Sequence, residues 1–210
     1  MKAFFEKNPI VKDAMILTVI TLVAGVCLGL VYEVTKAPIA QAQEAARQAA
    51  YAEVFEAADH FEAMEGFDSE AATKLVQSSG YNDDEITQCL VAYDAGNDPL
   101  GYVISVVSHA GYGGDIVFSV GITNEGMLNG YSITEISETA GLGMKATESE
   151  FMARFKDIPA AILEVTKGDP GENEILALSG ATITSRAMTY GVDAAVIYAQ
   201  SLGAGGETNE

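Results

Sequence analysis

The sequence predicts an α+β protein: a single N-terminal transmembrane helix followed by a domain of antiparallel strands with flanking helices. Three observations carry that expectation. An uncharged apolar run lies near the N-terminus. Short Val-, Ile- and Tyr-rich runs, separated by turn residues, fill the middle of the chain. Helix-forming stretches stand before and after them.

The apolar run, residues 14–32, reads AMILTVITLVAGVCLGLVY, 19 residues without a charge. A helix of that length rises roughly 28 Å, about the hydrocarbon thickness of a bilayer. A core helix would carry a polar face, and a signal peptide would end its shorter apolar stretch at a small-residue cleavage site. Here the run passes directly into VYEVTKAP. Residues 1–13 carry Lys2, Lys7 and Lys12 against Glu6 and Asp13, a net of +1, so the remainder carries −20. Lysine beside an apolar span marks the cytoplasmic side. The reading is a cytoplasmic N-terminus (1–13), a span of the cell (inner) membrane (14–32), and an extracytoplasmic remainder.

Residues 33–80 are read as a stalk and a connection. Ala, Glu and Gln favour a stalk helix over 39–58, with Pro38 marking a break or a new first turn before it. The acidic stretch 59–86, including NDDE at 82–85, reads as a surface connection, and its acidic pair Asp83-Asp84 as solvated loop. The domain proper is expected over 81–203. Strands are expected at 86–94, 102–110, 116–123 and 127–136, joined as hairpins by AGNDPLG, GYGGD and NEG. Thr147 with Glu150 three residues on predicts a capping box opening a helix over 147–158. A short apolar run at 174–180 precedes a last helix over 184–202. Residues 204–210 are expected to be a disordered tail.

The charge balance narrows the functions. Thirty acidic residues face eleven basic ones, a net charge of −19. A phosphate backbone would be repelled, so nucleic acid is excluded as a partner. With 49% hydrophobic residues the chain has enough apolar surface to fold. Cys27 falls in the span and Cys89 in the domain, so no disulfide joins them; Cys89 reads as a small buried apolar residue. His60 and His109 show no metal-ligand spacing.

Two segments stand out chemically. Ser179-Gly180-Ala181-Thr182-Ile183-Thr184-Ser185 places four hydroxyls and two small residues just before the last helix. The hydroxyls suit N-caps, and free first-turn amides suit an anion such as phosphate; the residues alone leave both readings open. Ser137-Glu138-Thr139-Ala140-Gly141-Leu142-Gly143-Met144-Lys145 sets one leucine between two glycines in a tight loop. By itself this is an ordinary strand-to-helix connection.

Taken in order, these segments resemble a known family. S-G-A-T followed by I-T-S is similar to the flavinylation motif of the FMN-binding domain. That domain occurs in the G subunit of Rnf electron-transport complexes and in the C subunit of sodium-pumping NADH:quinone oxidoreductase. SETAGLGMK resembles the family's E-T-P-G-L-G loop, GYGGDIVFSVGI its glycine-led strand, and VTKAPIA the stretch after its membrane helix. The chain departs from the pattern at Ala140, where proline is usual. Leu176-Ala177-Leu178 stands where an acidic residue is usual.

The resemblance implies FMN held by a phosphoester to the Thr182 hydroxyl, placed there from FAD by a separate flavin transferase. Ser179, Gly180, Ala181, Thr184 and Ser185 would surround it. Glu138, Thr139, Gly141, Leu142 and Gly143 would form the loop near the flavin. Leu142 is expected to pack on the ring, and Lys145 to face the phosphate or the electron-rich edge. The implied protein is an electron-carrier subunit of an Rnf-type ferredoxin:NAD oxidoreductase, working with other membrane subunits in the lipid bilayer. The alternatives are the quinone-reducing type and a cofactor-free anchored binding or assembly module.

Overall fold

The computed structural model describes residues 9–204. The chain divides into two compact units, residues 1–45 and 46–210. Helix α1 (Pro9–Val54) supplies the described part of the first and opens the second.

In the first unit an 18-residue window of α1 reaches a mean hydropathy of 2.6, with none of it buried by protein. Leu17, Ile20, Leu22, Val26 and Leu30 are all exposed. Such a surface suits lipid rather than water. The hydroxyls of Thr18 and Thr21 donate to the carbonyls of Ala14 (2.9 Å) and Leu17 (3.0 Å), so they carry no unpaired donor. Neither the break nor the new first turn expected at Pro38 occurs, and α1 runs through it. Proline removes one backbone bond, but the Ala- and Gln-rich turns around it propagate the helix. The expected end also moves, from residue 58 to Val54.

In the second unit six antiparallel strands form one sheet in sequential order: β1 (His60–Ala63), β2 (Asp84–Tyr93), β3 (Pro99–Ser108), β4 (Ile116–Thr123), β5 (Met127–Glu135) and β6 (Ile158–Pro159). From β2 to β5 the sequential antiparallel order follows from the short turn-rich links, which only hairpins can use; the longer stretches 64–83 and 136–157 connect β1 and β6 to the same sheet. The strands alternate between two apolar faces. Ile104, Val106, Phe118 and Val120 face the main core, which includes Ala187, Met188, Val192 and Ala195 of the final helix α4 (Thr182–Ser201). Val103, Leu90 and Ala92 face a smaller core closed by Tyr51, Val54 and Phe55 around the end of α1. Close packing of α4 on the sheet needs Gly191: a Cβ there would lie 2.5 Å from Phe118 Cζ.

The segment expected to be a surface connection is instead structured. It holds edge strand β1 and helix α2 (Ser69–Ser78), whose Ala72 and Val76 join the main core. Asp68 caps α2, its Oδ1 accepting from the amides of Glu70 (2.9 Å) and Ala71 (3.2 Å). Asp84 is not solvated loop: it opens β2 and is 2% exposed. Burial pushes its carboxyl up to about 6. Cys89 is buried as expected, and burial raises its thiol to about 12.

The helix expected over 147–158 is broken into a 3-10 turn (Gly143–Thr147), the short α3 (Ser149–Met152) and a second 3-10 turn (Ala153–Phe155). The capping box is not formed. Thr147 Oγ1 donates back to the Met144 carbonyl (2.9 Å), and Glu148 takes the cap position without a side-chain bond. Two short parallel strands, β7 (Glu164–Thr166) and β8 (Glu174–Leu176), lead into α4. Of the expected tail, Ala204 is buried and its amide donates to the Ala199 carbonyl; residues 205–210 lie outside the described residues, as do residues 1–8 of the N-terminal stretch.

Candidate functional site

Helix α4 begins at Thr182, two residues earlier than expected, so Thr182 is its first helical residue. Ala181 holds the cap position with φ −133° and ψ 47°, and no side chain caps the helix. The amides of a helix's first turn have no acceptor within the helix. They therefore face whatever occupies the space in front of α4.

That space is a cavity of about 530 Å³. Its lining comes from three stretches of chain. Tyr112 belongs to the glycine turn before β4; Glu138, Thr139, Leu142 and Gly143 to the loop after β5; and Gly180 to Thr184 to the start of α4. Two of the chemically distinctive segments of the sequence are thus brought to one place.

The loop after β5 is shaped by its glycines. Gly141 takes φ +75°, which a glycine adopts without strain. The turn is closed by the Leu142 and Met144 amides, both donating to the Thr139 carbonyl (3.1 and 3.2 Å). Leu142 is left 41% exposed at the cavity wall, where Ile183 and Tyr112 are also exposed. Gly143 is buried against the neighbouring wall. A Cβ there would meet Glu138 Oε2 at 2.5 Å and Thr184 Oγ1 at 2.7 Å. Gly180 has φ +76°, and a Cβ on it would lie 3.1 Å from Leu142 Cδ2.

Glu138 is buried, and its Oε1 accepts the backbone amides of Tyr112 (2.7 Å) and Gly113 (3.2 Å). It ties the glycine turn to the loop after β5. Ser185 lies behind the cavity, fully buried. Its hydroxyl donates to the Ala181 carbonyl and accepts the Leu178 amide, each at 2.9 Å. Arg154 donates to the Leu176 carbonyl just before the S-G-A-T segment and stacks 5.2 Å over the Phe151 ring.

Of the residues singled out in the sequence, Glu138, Thr139, Leu142, Gly143, Gly180, Ala181, Thr182 and Thr184 line the cavity. Ser179, Gly141, Ser185 and Lys145 do not. Ser179 is exposed beside it, Ser185 braces it from behind, and Lys145 sits half-buried in the 3-10 turn. Sequence reasoning missed Tyr112 and Ile183 as lining residues. The glycines flanking Tyr112 were a signal for a tight turn beside a ligand, and Ile183 stands inside the hydroxyl-rich segment itself.

The arrangement fits a flat ring with an anionic tail. Leu142, Ile183 and Tyr112 offer apolar and aromatic surface, the uncapped helix start offers amides to a phosphate, and Gly180 keeps the backbone bare beside Leu142 at the cavity wall. FMN has both parts. In agreement, residues 111–197 match the family model of the FMN-binding domain, a stretch that contains every lining residue. This is a protein of the FMN-binding-domain class.

Residues 1–54 match the model of the RnfG N-terminal region. Over nearly the whole chain the sequence is similar to two curated proteins. The G subunit of the proton-translocating ferredoxin:NAD(+) oxidoreductase complex of Clostridium ljungdahlii is 32% identical over 91% of this chain and 92% of that one. The G subunit of the Na(+)-translocating ferredoxin:NAD(+) oxidoreductase complex of Acetobacterium woodii is 30% identical over 96% and 97%. The chain belongs to the family of Rnf-complex G subunits. Among solved structures, the C subunit of the Na(+)-translocating NADH-quinone reductase of Parabacteroides distasonis superposes with a TM-score of 0.45. It is 22% identical, over 74% of this chain and 80% of that one.

Proposed function

We propose that this chain is the electron-carrier subunit of an Rnf-type ferredoxin:NAD oxidoreductase, and that it carries FMN as a phosphoester on Thr182. The observation that carries the reading is the double position of Thr182. It lines the cavity and is also the first residue of an uncapped helix. Its hydroxyl therefore stands where amides and the helix dipole favour a phosphate.

The remaining residues have distinct tasks. Gly180 and Ala181 let the phosphate approach the backbone. Leu142, Ile183 and Tyr112 hold the ring and exclude water from it. Glu138 and Ser185 fix the loops that carry these groups. FMN when bound supplies one-electron chemistry, while the protein supplies position and electrostatics. A flavin transferase would form the bond between the Thr182 oxygen and the flavin phosphate of FAD, with the adenylate leaving.

The apolar part of α1 anchors the protein among other membrane subunits and lipid. The lysines before the span support an orientation with the N-terminus in the cytoplasm and the flavin domain outside the inner membrane.

Coexpression with a flavin transferase, followed by a denaturing gel viewed for flavin fluorescence, tests the assignment. Wild type is expected to fluoresce and Thr182→Ala to be dark. A dark wild-type band beside an active transferase favours a cofactor-free module. Fluorescence persisting in Thr182→Ala moves the attachment, with Thr184 next in line.

A further inference from the structure

The geometry points to Glu138 as a fixed negative charge that lowers the reduction potential of the flavin in this cavity. The inference rests on the flavin reading above and goes further, because it gives one residue control of the redox level.

Three features single out this carboxylate. It lines the cavity yet is only 8% exposed. Its Oε1 is pinned by the amides of Tyr112 and Gly113 at 2.7 and 3.2 Å. Among the described residues no lysine, arginine or histidine forms an ion pair with it. Two amide dipoles hold the charge in place without cancelling it. Its other oxygen crowds the same point beside Gly143 as Thr184 Oγ1, which places it against the start of α4.

A buried charge acts through a medium of low polarity and is weakly screened by salt. An electron arriving on a ring in this cavity brings one negative charge, which the Glu138 carboxylate opposes unless a proton follows. The oxidised form is favoured, so the potential falls. The acidic exterior of the domain acts in the same direction, but through water and mobile ions. Glu138 is thus a positioning and tuning residue, separate from the attachment at Thr182.

Glu138→Gln is the deciding variant. Its amide oxygen can accept the same two backbone hydrogens, so only the charge is lost. Wild type and variant, each loaded with FMN by coexpression with the transferase, are compared by potentiometric titration at low and at high salt. Equal in-gel fluorescence establishes equal loading. The expected result is a higher midpoint potential in the variant, by the same amount at both salt concentrations. Thr139→Glu, which adds a carboxylate at an exposed lining position, is expected to move the potential down.

An unchanged potential in Glu138→Gln overturns the inference, and so does a difference that vanishes in high salt. A Glu138→Gln chain that does not fold, or folds but stays dark beside fluorescent wild type, also overturns it, since the charge would then serve the fold or the attachment. A dark wild type sinks the flavin reading instead, which separates the two failures.

Discussion

The Ser185 hydroxyl accepts the Leu178 amide hydrogen at 2.9 Å, across seven residues and wholly inside the protein. The same hydroxyl donates to the Ala181 carbonyl. One side chain therefore fixes both ends of the S-G-A-T segment on the first turn of α4. Ser185→Ala leaves the buried Leu178 amide unpaired, which costs about 1–3 kcal/mol. Urea unfolding is expected to show that loss, and flavin attachment at Thr182 to slow, while Ser185→Thr retains part of both.

Gly143 allows no side chain. Alanine there would push on Glu138 and on Thr184 at contacts of 2.5 and 2.7 Å, and neither group is free to retreat. Overpacking of this kind costs about 1–3 kcal/mol. Gly143→Ala is expected to lower the urea midpoint and to abolish fluorescent loading. Gly141→Ala is expected to lose stability through φ alone, because nothing crowds that position, and to keep some loading.

Stability should fall as pH rises from about 4 to 7. Asp193 is fully buried, and burial pushes its carboxyl up to about 7; the Leu163 amide and the Tyr81 hydroxyl oppose that shift, and Asp84 adds to it. Asp84 is raised to about 6 in the same region. Both acids bind protons more tightly in the folded state than in the unfolded chain. Their contribution is therefore full at low pH and is lost as they ionise. In Asp193→Asn the side chain still accepts from Leu163 and can donate to Tyr81. Thermal scans are expected to show this variant above wild type by several degrees at pH 8 and level with it near pH 4.

Arg154 reaches the Leu176 carbonyl and pairs with Glu150 at 3.3 Å. It holds β8, the last element before the S-G-A-T segment. Arg154→Ala is expected to raise amide hydrogen exchange over residues 174–181, with the sheet amides unchanged. Equal exchange in both proteins would show that the backbone needs no such tether.

The topology can be read with thiols. Cys89 is buried with a raised pKa, so it stays silent toward a reagent in the native protein. A cysteine placed at exposed Lys74 should react with a membrane-impermeant maleimide on whole cells. Labelling only after membrane rupture would reverse the proposed orientation.

What was legible in the sequence depended on how strongly each element declared itself. β4 carries six buried residues in eight and emerges at residues 116–123 as expected. The other central strands shifted by one to three residues, because their ends depend on pairing rather than on composition. Helix α2 was hidden, since only Ala72 and Val76 of its ten residues are buried. Strand β1 has four residues, too few for alternation to show. The capping box failed because Thr147 closes the preceding 3-10 turn and is not available to the next helix. At the site, the hydroxyl and glycine segments were visible as motifs. The glycine turn was visible too, but its tie to Glu138 was not, because those bonds join residues 26 and 25 positions apart.

The end of α1 has a consequence for anyone who wants the domain free of lipid. Tyr51, Val54 and Phe55 belong to its smaller core, and Glu53 and Tyr51 bond Ser132 and Gln88 on the sheet. The anchoring helix therefore changes role partway along its length, from membrane segment to building block of the fold. A fragment cut where the apolar run stops keeps those residues. One trimmed back to the first strand loses them, uncovers Leu90, Ala92 and Val103, and is expected to aggregate. Solubility here is gained by keeping more of the helix, not less.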